Sequence, residues 1–279
     1  MGGTLIYTNA LFGSIDPNAW LGGELAAGKD KIINAPYNNF APTNANATEA
    51  MNSLFDAIVA NPGTVANPTD SVGWSMGGQA QMKLLRERGA ELAAALGATN
   101  TVRFWITGCP ESDYGASVKY PAQSPAAYPG GTYGVGYGLP ASVPFETHVI
   151  ANEFDGWADV PSDPANSELS KLVFIGLLLT QVWSHSMICL LKSTKGPHGS
   201  YPRGLSTPGT KSYADPARAN VTYHWIPTYP VPQLGWLSGL KFLTAQLDRQ
   251  RRPTMNAAYG WRPVVMDTPA YPTSGSWFS

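Results

Sequence analysis

The stretch Gly73-Trp74-Ser75-Met76-Gly77-Gly78 constrains this chain more than any other. It stands between an apolar run ending at Trp74 and a helical pattern opening at Gly77. A serine at such a strand–turn–helix junction sits in a strained turn. Side chains at positions 73 and 77 would strike the neighbouring strand and helix, and glycine at both removes the clash. The turn exposes the Ser75 hydroxyl at the carboxyl end of a sheet. It also aims the Met76 amide and the helix start at a developing oxyanion. Ser75 is therefore the candidate nucleophile.

Around this junction, short apolar runs alternate with helical patterns. The strand candidates are Thr4–Thr8, Lys31–Ala35, Asp70–Trp74, Val102–Thr107, Thr147–Asn152 and Val221–Ile226. Helical spacing covers Thr48–Ala60, Gly77–Leu96 and Leu237–Gln250. In the second of these, Met82, Leu84, Leu85, Leu92 and Leu96 form the apolar stripe, with Arg86, Glu87 and Arg88 outside. Strands alternating with helices predict an α/β architecture, a mostly parallel sheet covered on both faces. The pattern breaks in the Gly/Tyr-rich stretch Pro110–Pro144 and in Ser193–Asn220, which is rich in Pro, Gly and Ser. Long irregular segments of this kind are usually lids or binding loops, so inserts are expected near residues 110–145 and 165–215. The spaced glycines of 130–138 are not a dinucleotide loop, because no strand precedes them and no helix follows. The domain is expected to span 1–252, with 253–279 as a Pro-rich, aromatic C-terminal arm.

Lys plus Arg number 18 and Asp plus Glu 19, a net charge of −1. With no basic excess, nucleic acid is not an expected partner. Charged residues are only 13% of the chain, about half the usual share, while the 43% that are hydrophobic exclude a disordered chain. The apolar stretch Leu172–Leu191 has the length of a membrane span. Gln181, Ser184, His185 and Ser186 interrupt it, so a buried or lid helix is expected rather than a stable span. The first residues lack a basic region and their apolar run ends at Asn9, so they read as a strand and not a secretory leader. Cys109 and Cys189 allow one bridge or two buried thiols, and no zinc site by themselves.

A serine alcohol needs a base. His148 and His224 fall inside predicted strands, where packing or exposure is the usual role. His185 sits in the apolar stretch. His198, in the loop Gly196-Pro197-His198-Gly199-Ser200-Tyr201, is the favoured base, with His185 as competitor. The orienting acid should lie just beyond a late strand. Thr147–Asn152 runs into Glu153-Phe154-Asp155-Gly156-Trp157-Ala158-Asp159, so Asp155 is favoured and Asp159 competes. A second oxyanion donor belongs in the loop after the first strand, near Asn9 or Ala10. Asp155, Asp159 and Asp163 recur at every fourth position, which is not the alternate spacing of a calcium loop. No metal and no cofactor is expected.

Several ordered blocks carry a resemblance. They are Gly3-Thr4-Leu5-Ile6-Tyr7, Gly73–Gly77, Ile106-Thr107-Gly108-Cys109-Pro110, Glu153–Pro161, His198-Gly199-Ser200-Tyr201 and Thr222-Tyr223-His224-Trp225-Ile226-Pro227-Thr228. Over roughly residues 4 to 240 the chain resembles the PE-PPE domain of mycobacterial proteins, a serine esterase module of the α/β-hydrolase superfamily related to cutinases. The resemblance implies an α/β-hydrolase-type three-layer sandwich with a lid-like insertion. It implies a Ser/Asp/His esterase acting on acyl esters, with Ser75 as nucleophile. It favours His198 through the His-Gly-x-Tyr pattern, and places the acid in the Asp155 block without separating Asp155 from Asp159.

These readings converge on acyl transfer: Ser75, His198 and Asp155 as triad, with Met76 and Ala10 supplying oxyanion amides. The expected substrate is a lipidic acyl ester, such as an envelope lipid. Three alternatives share these residues: an acyltransferase, a peptidase or thioesterase, and a non-catalytic binding or structural module such as a phage tail component. The expected setting is extracellular or facing the cell envelope. A chain without a leader or a PE or PPE secretion domain also suits a mycobacteriophage virion. There the C-terminal arm would dock in an assembly or against a second copy.

Overall fold

Alternation in the apolar runs sorts strand side chains onto two faces. A computed structural model describes residues 3–10, 14–39, 44–119, 138–155, 157–160, 162, 201, 203–228 and 241–267. Its strands are β1 (Gly3–Thr8), β2 (Lys29–Asn34), β3 (Gly63–Thr64), β4 (Thr69–Trp74), β5 (Asn100–Thr107), β6 (Thr147–Asn152), β7 (Lys211–Ala214) and β8 (Val221–Ile226). Its helices are α1 (Asn44–Ala60), α2 (Met76–Glu87), α3 (Gly89–Leu96), α4 (Ala116–Lys119) and α5 (Lys241–Ala257). The sheet runs β2-β1-β4-β5-β6-β8-β7, with β3 paired to β5 off that path. All pairings from β2 through β8 are parallel, and β7 adds to β8 antiparallel. The architecture is α/β with a mostly parallel central sheet, as expected.

One face carries Ile6, Phe104, Ile106, Val149, Ala151 and Tyr223, packed against Met51 and Leu54 of α1, Met82 and Leu85 of α2, and Leu92 of α3. The other carries Leu5, Val72, Trp74, Ile150 and Ile226, packed against Trp20, Leu21, Leu25 and Tyr201. The six expected strands are present to within two residues. The single helix expected over 77–96 is broken at Arg88, whose φ of −132° ends α2 before α3 begins at Gly89. Arg88 instead places its guanidinium 3.6 Å over the Phe55 ring. Strand β7 falls inside a stretch expected to be irregular. The last helix continues through Pro253 to Ala257. Beyond it, Tyr259 and Met266 are buried, and residues 268–279 lie outside the described ones. Residues 172–191 lie outside the described ones. Among the described residues no helix is long and apolar enough to cross a membrane, and no cluster of metal-ligating side chains occurs.

The second face also carries a polar ladder. Asp70 accepts from Arg103 Nε at 2.8 Å, from Trp105 Nε1 at 2.8 Å and from Lys29. Burial pushes the Asp70 carboxyl up, but these donors overcome it and hold it below its usual range. The Trp105 ring stacks on His148 at 4.1 Å. His148 Nε2 meets Glu146 at 2.9 Å, His148 Nδ1 meets His224 Nε2 at 2.9 Å, and His224 Nδ1 meets Ser212 Oγ at 2.8 Å. A carboxylate only accepts, so it sets every direction in that row when both rings are neutral. His148 donates to Glu146, His224 donates to His148, and Ser212 donates to His224. The two ring histidines thus have a packing role, as their strand positions predicted.

Burial, with the neighbouring His148, lowers the His224 imidazole to about 4, against 6.5 in the free side chain. As pH falls from 6.5 toward 4 the unfolded ring takes up a proton that the folded ring refuses, so stability drops across that window. Urea unfolding across this range should show stability falling by up to about 1.4 kcal/mol per pH unit from this group. The variant His224→Gln should flatten that dependence.

Candidate active site

The turn after β4 has the geometry that its glycines anticipate. Ser75 has φ 53° and ψ −110°, and it heads α2 without capping it through its side chain. A non-glycine residue in this region is strained and persists only where its surroundings hold it. Here the Ser75 amide donates to the Thr107 carbonyl at 2.9 Å, and its own carbonyl accepts the Gln79 amide at 2.9 Å. A Cβ on Gly73 would lie 2.5 Å from the Gly77 carbonyl oxygen, and one on Gly77 would lie 2.2 Å from the Thr8 carbonyl oxygen. These contacts are backbone on backbone, so a side chain there could not turn aside. The same approach brings the start of α2 against the loop after β1. In that loop Asn9 accepts from Tyr37 Oη at 2.7 Å and from the Ile15 amide at 2.9 Å, and Ala10 accepts from Asn39 Nδ2 at 3.0 Å. Met76 and Ala10, the two expected oxyanion residues, are both buried beside the turn.

β6 ends two strands away from β4, with β5 between them. Two strand spacings are about 10 Å, so Ser75 and Asp155 share the carboxyl edge of the sheet. The segment after β6 is unusually rich in buried carboxylates. Glu153, Asp155 and Asp159 are all buried, and Phe154 between them has φ 64°. Each carboxylate has different partners. Glu153 faces the buried Arg252 of α5, which also binds Asp248 Oδ2 at 2.9 Å and the Thr228 carbonyl at 2.6 Å. Asp159 accepts from Arg262 at 2.8 Å and from the Phe154 amide at 2.8 Å. Asp155 Oδ1 accepts from the Trp157 amide at 2.9 Å, and its Oδ2 accepts from the Tyr201 phenol at 2.5 Å. Burial pushes the Glu153 and Asp159 carboxyls up, and their arginines oppose that rise.

The two candidate acids thus have different partners. Asp159 is committed to Arg262, whereas Asp155 points to the residue that closes the His-Gly-x-Tyr block. Both candidate bases, His198 and His185, lie outside the described residues, as does Asp163. Cys109 is a free, buried thiol, raised well above its usual value by burial and then by Glu111. Reading the sequence did not find Arg252, Arg262 or Tyr201 as partners. The only local signal was the tyrosine of the His198–Tyr201 block.

A family model described as the PE-PPE domain matches residues 31–260. The chain belongs to the PE-PPE domain family. Within this PE-PPE chain the matched span takes in the serine turn, the carboxylate block, Tyr201 and α5. No curated protein matches it. Two solved structures are similar to parts of it. One is an acetylxylan esterase, 13% identical over 40% of this chain and 64% of that one, with a TM-score of 0.30. The PE-PPE chain thus spans less than two thirds of that esterase. The other is RedJ with a polyethylene glycol molecule bound in its active site, 10% identical over 54% of this chain and 68% of that one, with a TM-score of 0.32. Both likenesses are too distant to bear on function.

Two outcomes test the packing around the site. Gly77→Ala forces a methyl against the Thr8 carbonyl and should cost about 3 kcal/mol in urea unfolding. Arg252→Met removes the buried guanidinium that meets both Glu153 and Asp248 and should cost about 3–5 kcal/mol in the same measurement.

Proposed function

We propose that this PE-PPE chain is a serine esterase or lipase that hydrolyses acyl esters of lipidic substrates. The observation that carries the reading is Ser75 at φ 53° at the head of α2, between glycines that no larger residue can replace. That conformation is costly, and such strain clusters at functional sites. In the proposed reaction His198 takes the Ser75 proton as Oγ attacks the ester carbonyl. Asp155 holds the histidine tautomer and stabilises the imidazolium. The Met76 amide and one from the loop at Ala10 meet the oxyanion. The alcohol leaves with the proton from His198, and water then resolves the acyl-enzyme. Support for His198 comes from its neighbour. Tyr201 stands three residues further on, a span of about 10 Å at full stretch, and its phenol reaches Asp155. A lipidic substrate is supported by the low charge of the chain and by the apolar stretch 172–191.

The test is hydrolysis of p-nitrophenyl esters from acetate to palmitate by wild type and Ser75→Ala. Wild-type turnover should fall by about 10⁴-fold or more in kcat in the variant, and the preferred chain length sizes the acyl site. Equal turnover in both proteins would overturn the reading. No turnover of any ester by the wild type would favour a binding module on the same scaffold.

A further inference from the structure

Resting on the triad reading above, we propose that Tyr201 is a positioning residue for its acid. The phenol orients Asp155 and thereby sets the strength of the imidazole base that Asp155 serves. Tyr201 is fully buried. Its O–H donates to Asp155 Oδ2 at 2.5 Å, and its oxygen accepts the Asn152 amide at 3.3 Å. Its carbonyl accepts the Leu21 amide at 2.6 Å, and its ring lies 5.5 Å from that of Trp20. The space for the phenol is built into β5's exit. A Cβ on Gly108 would lie 3.1 Å from Tyr201 Oη and 3.2 Å from its Cε2, and Gly108 itself has φ +57°. The phenol is held on both sides of its ring and at its backbone, so its oxygen has one place to be.

Burial first, and the Asp155 charge second, push the Tyr201 hydroxyl well above its usual value. It stays protonated, and a donor, wherever the enzyme works. The arginines on Glu153 and Asp159 meet each carboxylate with an opposite charge. The Tyr201 phenol meets Asp155 with a neutral O–H donor, which fixes the direction of its carboxylate. It also draws electron density from the carboxylate. Removing the phenol hydroxyl takes one hydrogen bond away from the carboxylate, which then holds an imidazolium more tightly, so the acid limb of the reaction moves to higher pH.

The experiment follows the rate at which a fluorophosphonate labels Ser75 across pH, in wild type and Tyr201→Phe, with Asp155→Asn and Ser75→Ala alongside. In this reaction the Ser75 Oγ–P bond forms, P–F breaks and the serine proton passes to the base. Phenylalanine keeps the ring against Gly108 and Trp20. In Tyr201→Phe the acid limb should move upward by about half a pH unit, a roughly threefold slower rate at fixed pH on that limb. An unmoved limb, at whatever overall rate, reduces Tyr201 to packing and overturns the proposal while leaving the triad standing. Failure to label Ser75 in wild type, or equal labelling of Asp155→Asn, overturns the triad reading and the role of Tyr201 with it.

Discussion

Three carboxylates within seven residues are withdrawn from water after β6, and the organisation of the site depends on how they are met. A buried carboxylate without a partner costs several kcal/mol. Glu153, Asp155 and Asp159 draw their partners from separate parts of the chain: Arg252 in α5, Tyr201 before β7, and Arg262 beyond α5. The late segments are therefore held to the carboxyl edge of the sheet by counter-charge as well as by apolar contact. The arginines also enclose Phe154. Arg252 lies 5.5 Å and Arg262 5.2 Å from its ring, and Tyr259 packs on it edge-on at 5.2 Å. Phe154, next to Asp155, is thus packed between two cations and an aromatic ring.

Strain is concentrated at the same edge. Ser75 follows β4 and Phe154 follows β6, and both have positive φ without being glycine. Each is over-determined by neighbours, as strained backbone must be. Ser75 is tied to β5 through Thr107. The Thr107 hydroxyl donates to the Gly73 carbonyl at 2.9 Å and accepts Trp20 Nε1 at 3.3 Å. Trp20 in turn packs on Trp74 and Tyr201, with ring centroids 5.1 and 5.5 Å away. The serine turn and the Asp155 turn thus share one aromatic support on the second face of the sheet.

The low charge of the chain has a second meaning in this light. Read from composition, it pointed to an apolar substrate. In the fold, many of the few charges are spent inside: Asp70 with Lys29 and Arg103, Glu111 with Arg86, and the carboxylate block with its arginines.

The parallel sheet, the helices on its first face and the serine turn were legible in the sequence, because each follows from local rules. Alternation sets a strand's two faces, a 3.6-residue stripe sets a helix, and two glycines around a serine set the turn. The sequence also singled out the carboxylate block after β6, since a carboxylate beyond a late strand is a topological expectation. It did not show what meets each carboxylate. Arg262 lies 103 residues away from Asp159, and no local pattern encodes which cation reaches which carboxylate. The break at Arg88, strand β7 and the burial of Arg252 and Arg262 against the carboxylate block were missed for the same reason. A cation over the Phe55 ring, an edge pairing with β8 and an ion pair at the far end of the sheet are gains that exist only once distant segments have met. Local periodicity determined the elements and the serine turn, and tertiary burial, which makes buried carboxylates find partners, decided which distant segments meet at the edge of the sheet.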